Sequence, residues 1–317
     1  MSEKMGRRSF IKTSAAIGAS SLIGGNVIAG CGKKESATAK SIKDLGISVV
    51  NGEDYLKNTL KAVEQLGGME QFVPKGSRVA ILANPQRNNP GAFTKPEIVR
   101  AAIQMCKKAG AKDVACISQL PDENWEKTGL KKVVTEEGAS LVIVDRSDAS
   151  QFKAVPVPKG IALKEAMIMN EFYKYDVFID MPITKDHAGN KFTGTMKNLM
   201  GLSSSKTNRS FHMQDWTTDA NAIAHLEQCI ADLNTIVTPT LCIVDATEFI
   251  TTNGPFGPGE IIKPQKVVAG VDRVAIDSYC CTLWGLQAKD ILQINKAYEH
   301  KMGEMDLTKV KVKESTA

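Results

Sequence analysis

Short apolar runs that read as buried strands alternate with stretches of helical periodicity from residue 78 onward, and this rhythm leaves few folds open. RVAILA (78–83), DVACIS (113–118), SLVIVD (140–145), YDVFIDMPI (175–183), TLCIVDA (240–246) and KVVAG (266–270) are apolar along most of their length rather than at every second position. Runs of this kind bury both faces, as strands do in a parallel sheet covered by helices on each side. Helical stretches fall between or after them, over residues 94–110, 123–136, 219–233, 271–284 and 289–299. The first has complete punctuation: Thr94 and Glu97 at capping-box spacing, one apolar face on Ile98, Ala101, Ala102, Met105 and Cys106, and Gly110 as a stop. Only FKAVPVPKG (152–160), extended and broken by prolines, interrupts the pattern. The expectation is an α/β fold: a mostly parallel, doubly wound sheet with helices on both faces, in one large domain over residues 46–317.

The N-terminal residues belong to a different category. Residues 6–12, GRRSFIK, match the twin-arginine export pattern, and the weakly apolar stretch that follows is too short and too rich in Gly and Ser to span a bilayer. It ends in Ile28-Ala29-Gly30-Cys31, which fits a lipobox with Cys31 as the lipidated residue. Residues 1–30 are therefore expected to be a cleaved signal, and residues 31–45 a small polar tether. The expected location is the periplasm or the outer face of a membrane, held there by the lipid. Residues 1–30 carry four basic residues and one acid, so without them the formal charge falls from +5 to +2. A chain so near neutrality has no general attraction to nucleic acid.

Seven cysteines include Cys31. Cys106, Cys116 and Cys242 lie in apolar periodic segments, where cysteine behaves as a small core residue. Cys280 and Cys281 are adjacent and point to different sides of a helix. None of the seven forms C-x-x-C, and no iron–sulfur cluster is expected.

In open α/β sheets ligands bind beyond the carboxyl ends of the strands. Four unusual stretches follow strands here: ANPQRNNPGAF (83–93), ITKDHAGNKF (183–192), DATEFITTNGPFGPG (245–259) and GVDRVAID (270–277). The second opens a 17-residue segment, Lys185 to Gly201, with three lysines, a histidine, two asparagines and a single acid, Asp186. Lys185 and Lys197 are set among apolar and small residues, where a lysine is costly unless it serves an anion. Lys206 and Arg209, further on, fit a solvated face. GxGxxG and P-loop patterns are absent.

In order and spacing, N-P-x(4)-P, T-K-P-E-I-V-R-A, D-M-P-I-T-K-D-H, T-M-K-N-L-M-G-L, N-G-P-F-G-P-G and G-V-D-R-V-A-I-D resemble the family catalogued as domain of unknown function 362, from about Val79 to Gly303. Many members carry a ferredoxin-like cysteine module, and this chain lacks it. The resemblance marks positions rather than a reaction: Lys185, His187, Lys197, Asn198 and Gly201 in the central motif, Asn84 and Pro85 in the first loop, Asn253, Gly254 and Pro255 in the late loop, Asp272 and Asp277 in the last. The lysine usual before Asn84 in the family is Ala83 here, which leaves Arg87 as the substitute cation of that loop.

Lys185, His187 and Lys197 are thus the catalytic candidates. Asn84, Arg87, Asn198, Asn253, Gly254, Asp272 and Asp277 are the ligand-binding candidates, although Asp272 equally fits the cap of the last long helix. His187 and His212 could hold a divalent metal with a third ligand from Asp186, Asp215 or Asp245. His225 and His300 read as ordinary helix residues. Two classes of function follow. One is an enzyme that binds a small anion and moves a proton next to a carboxylate. The other is an exported lipoprotein that holds a ligand or serves redox partners without turnover.

Overall fold

Strands that are apolar on both faces need a helical layer over each, and the computed structural model, which describes residues 45–317, supplies both. Arg7, Arg8 and Cys31, on which the signal and anchor expectations rest, lie outside the described residues. The strands are β1 (Ile47–Asn51), β2 (Arg78–Ala83), β3 (Asp113–Ser118), β4 (Ser140–Ile143), β5 (Phe152–Pro156), β6 (Glu165–Met169), β7 (Val177–Met181), β8 (Leu241–Ala246), β9 (Phe249–Ile250), β10 (Ile261–Ile262), β11 (Lys266–Gly270) and β12 (Val312–Thr316). The helices are α1 (Tyr55–Gln65), α2 (Pro96–Lys108), α3 (Asp122–Lys127), α4 (Leu130–Glu136), α5 (Thr195–Asn198), α6 (Ser205–Phe211), α7 (Ala220–Asn234), α8 (Arg273–Thr282) and α9 (Leu292–Glu299).

Eight strands form one sheet in the order β12-β1-β11-β8-β7-β2-β3-β4. β8, β7, β2, β3 and β4 are parallel neighbours. β11 is antiparallel to both β8 and β1, and β12 runs parallel to β1. β11 is therefore the one strand of the sheet that runs against the rest. Side chains alternate between two cores, as the pleat requires. Val79, Ile81, Ile179 and Ile243 pack with Ala62, Ile98, Ile103 and Trp125 on one face. Ala80, Leu82, Phe178 and Val244 pack with Leu199, Leu226, Ile230, Ile276 and Ile294 on the other. The expected fold class is present. All six cysteines of the described residues are buried free thiols, Cys280 and Cys281 among them.

Two local expectations need correction. The stretch 123–136 is two helices rather than one, because Gly129 takes a left-handed conformation (φ 76°) and turns the chain between α3 and α4. Helix α2 starts at Pro96 with Lys95 as an N-cap that makes no side-chain bond, so Thr94 does not complete a capping box. Instead, the buried Thr94 hydroxyl donates to the Met181 carbonyl at 2.8 Å and accepts the Asn84 N–H at 3.1 Å, which ties the loop after β2 to the end of β7. Finally, β1, α1 and β12 complete the sheet outside the alternating region read from the sequence.

The hairpin of β5 and β6 is fastened by one buried carboxylate. Asp232 on α7 takes the N–H groups of Ile161, Ala162 and Leu163 on Oδ2 at 2.7–2.8 Å, and Gln228 and His300 approach Oδ1. Burial pushes this carboxyl up, but the N–H groups of Leu163, Ile161 and Ala162, with Gln228, outweigh it and hold it below the ordinary aspartate value. Its stabilisation is therefore complete above that ordinary value and is lost as pH falls through the lowered one. Asp232→Asn is expected to lose about 2–3 kcal/mol of unfolding free energy, because three charge-assisted bonds become neutral. Urea denaturation at pH 7 and pH 3 checks this, with the gap between wild type and variant closing at the lower pH.

Candidate functional site

Because β8, β7, β2, β3 and β4 are parallel, the loops that leave them gather on one edge of the sheet. A cavity of about 470 Å³ opens there. Its lining includes Asn84 and Gln86 after β2, Ser118 at the end of β3 with Gln119 after it, Arg146 after β4, His187 after β7, Lys197 and Asn198 of α5, Asn208 and Arg209 of α6, and His212 and Trp216 beyond it. Pro255 and Phe256 close one side. Among the described residues no aspartate or glutamate lines it, against one lysine, two arginines and two histidines.

Lys197 is held in place from several sides. Asp277 of α8 accepts the Thr195 N–H at 2.7 Å and the Met196 N–H at 3.1 Å, capping the four-residue α5 from behind. Gly194 makes that approach feasible, since a Cβ there would lie 2.3 Å from Asp277 Oδ1. Asn234 Nδ2 donates to the Met196 carbonyl at 2.9 Å. Asn198 Nδ2 donates to the Leu82 carbonyl and to Asp180 Oδ1, and Asn198 Oδ1 accepts from Asn84 Nδ2 at 3.2 Å. Burial raises the Asp180 carboxyl well above the aspartate range, and the Asn198 hydrogen bond offsets part of that.

The Lys197 ammonium itself has almost nothing to bind. It is 8% exposed, and its one hydrogen-bond contact among the described residues is Met200 Sδ at 3.6 Å. Burial lowers its pKa from the ordinary 10.5 to about 8, and the negative potential of Glu227 offsets part of that. Glu227 is buried behind α5, where desolvation pushes its own pKa up to about 7. Lys185 is fully buried and does not line the cavity. It donates to the Ala92 carbonyl at 2.6 Å, which props the loop after β2, and burial with the nearby Lys197 charge brings it down to about 7.

His187 is 4% exposed, and its Nδ1 has no partner among the described residues. Burial, then Lys197, His212 and Lys185, hold its pKa well below 6.5, so the imidazole is neutral near pH 7. His212 is lowered to about 4 by burial and Lys197, and its Nδ1 lies 2.8 Å from the Asn208 carbonyl. Trp216 packs against both rings, at 5.0 Å from His187 and 4.8 Å from His212. Gln119 Oε1, also on the lining, is another buried atom without a partner.

The structure gathers only some of the expected residues. Asn84, His187, Lys197, Asn198 and His212 line one cavity. Asp272 does not reach it: the reversed β11 carries GVDRVAID to the opposite edge of the sheet, where Asp272 caps α8 through the Ala275 N–H and also takes the Glu304 N–H. Asp277 acts from behind, on α5. Asn253 and Gly254 shape their own loop, with Asn253 Nδ2 on the Pro258 carbonyl and the Gly254 N–H on Asp186 Oδ2. Arg87 stacks on the Phe256 ring at 4.9 Å rather than entering the cavity. The two histidines lack a third metal ligand. Asp186 faces Gly254, Asp245 takes the Lys95 and Thr247 N–H groups, and no three His, Cys, Asp or Glu converge among the described residues. The donor set does not suit a metal held by protein ligands alone.

Arg146, Gln119 and Trp216 were missed, and Arg209 was read as solvated. Arg146 follows a parallel strand directly, in VIVDRSD, and strand position alone could have marked it.

The profile of a family described as Domain of unknown function (DUF362) matches residues 79–282. The Thylakoid-associated protein sll1697 of Synechocystis sp. is 28% identical over 179 residues, which are 53% of this chain and 54% of that protein. The chain thus spans about half the length of the curated relative it matches. The lactate racemase apoprotein from Thermoanaerobacterium thermosaccharolyticum shares the fold, with a TM-score of 0.50 and 14% identity over 80% of this chain and 61% of that one.

An ammonium desolvated without an ion-pair partner costs stability, and the field of Glu227 offsets only part of that cost. Because Lys197 has its pKa lowered to about 8, the cost is complete below that value and vanishes as pH rises past 10.5. Lys197→Met is expected to be more stable than wild type at pH 7, by about 1–3 kcal/mol. Thermal or urea unfolding from pH 7 to pH 10.5 checks it, and the gain should shrink at the alkaline end.

Proposed function

The chain belongs to the DUF362 family, and from that premise we propose that it binds a small carboxylate-bearing molecule in this cavity and moves a proton next to the carboxylate. The observation that carries the reading is a cavity lined by buried and exposed cations and by no carboxylate, with Lys197 lacking an anionic partner. An anion entering it relieves the desolvated charge and binds the more tightly for being shielded from water.

In this reading Lys197 receives the carboxylate, and its charge stabilises the enolate-like form that appears when the neighbouring C–H is broken. His187 is the base. It is neutral at physiological pH, buried, and carries a ring nitrogen with no protein partner to compete for the proton. Asn84 and Asn198 fix the floor. The fold relative is a lactate racemase, and lactate is itself a small carboxylate, which is compatible with this substrate class.

The proposal extends to export and anchoring, on the strength of GRRSFIK and the Cys31 lipobox. Arg7→Lys with Arg8→Lys should leave a cytoplasmic precursor, and Cys31→Ala should release the protein from membranes. Fractionation of cells expressing each variant checks both. No helix among the described residues is long and apolar enough to cross a membrane.

The chemistry is tested by proton NMR in D₂O, following α-hydrogen exchange of malonate and L-lactate above the buffer rate. Wild type should accelerate exchange, and His187→Gln should abolish it while still binding the anion. Binding that survives with no exchange in wild type would reduce the protein to a ligand carrier. Because Lys197 loses its proton above about 8, affinity for malonate should fall as pH rises through that value. Calorimetric titration between pH 6.5 and 9.5 reads this directly.

A further inference from the structure

Six arginines fall in the described residues, and four have side-chain work within the protein. Arg78 pairs with Asp113, Arg100 with Glu136 and Glu137, Arg273 with Asn234 and the Val237 carbonyl, and Arg87 lies over Phe256. Arg146 and Arg209 are the remaining two, and neither guanidinium has a hydrogen-bond or ion-pair partner among the described residues. Both line the same cavity. They come from separate elements, the loop after β4 and helix α6, and both are exposed, whereas Lys197 is buried. The cavity's cations therefore fall into two groups, one desolvated and one at the mouth.

Size points the same way. About 470 Å³ lies within the roughly 300–1,000 Å³ of sites that enclose drug-sized molecules, and a three-carbon acid would leave most of it to water. From these observations we infer that the ligand carries two anionic groups, an inner carboxylate at Lys197 and an outer carboxylate or phosphate held by Arg146 and Arg209. Guanidinium forks suit either oxyanion, and two of them lining one cavity that no carboxylate among the described residues lines favour a bidentate clamp. This specificity rests on the reading of the cavity as an anion site, and adds to it the outer group and the residues that select it.

The test is calorimetric titration of wild type, Lys197→Met and the double variant Arg146→Gln/Arg209→Gln with L-lactate, L-malate and 3-phosphoglycerate. In wild type, at least one two-anion probe should bind about tenfold or more tighter than lactate, and the double variant should lose that advantage while keeping lactate affinity within about twofold. Whether malate or phosphoglycerate gains more assigns the outer group as carboxylate or phosphate. Equal affinity for all three probes in wild type, or an advantage that survives loss of both arginines, overturns the inference and leaves the anion site standing. If Lys197→Met binds every probe as wild type does, or wild type binds none, the anion site falls and the inference with it. The two arginines are exposed and unpaired, so the double variant should unfold at the wild-type temperature, and melting curves establish that it is folded.

Discussion

An ammonium group buried with no carboxylate in ion-pair contact among the described residues is the constraint around which this edge of the sheet is organised. Lys197 could escape to water if α5 were free to turn. It is not free, because Asp277 holds the N–H groups at the start of that helix, Asn234 holds a carbonyl within it, and Asn198 is bonded to β2, β7 and the loop after β2. Each of these groups is buried or nearly so, and each spends its hydrogen-bonding capacity on the backbone or on a partner of the same cluster. The stability lost at Lys197 is therefore borne by a network that fixes where the charge points. Preorganisation of this kind is what a binding or catalytic site requires, since the charge is in place before the ligand arrives.

The same network divides the motif residues by role. Asp277, Gly194 and Asn198 position, whereas Lys197 and His187 face the cavity. Lys185 stands apart from both: it props the Ala92 carbonyl, and its charge helps keep His187 neutral. Burial first, and then the fields of Lys197, His212 and Lys185, keep this imidazole unprotonated near pH 7, with a ring nitrogen free to accept a proton.

Much of this could be read from the chain, and the failures have physical causes. Strands and helices were legible because periodicity reports which faces are buried, and the lysine-rich loop stood out because ammonium groups among apolar residues are expensive. Strand direction is not encoded in a strand's own residues: KVVAG reads alike up or down, and the reversal of β11 moved Asp272 from the expected rim to the far edge. Asp277 is a ligand-binding candidate by sequence, yet its carboxylate accepts the Thr195 and Met196 N–H groups of α5, because the sequence does not show which face of α8 looks toward the site. Arg146 and Arg209 look like ordinary surface arginines until the absence of any partner for their guanidinium groups is seen together with the cavity they share. Thr94 had capping-box spacing, yet a link between β2 and β7 claimed its hydroxyl first.

The central claim is that Lys197 waits as a strained cation for an anion. NMR titration of ¹³Cε-labelled lysine, with the Lys197 signal assigned by its absence in Lys197→Met, measures that directly. The account predicts a pKa of about 8 in the free protein that climbs toward the ordinary 10.5 when malonate or malate saturates the cavity. A value near 10.5 in the free protein, or one that no carboxylate moves, would contradict it.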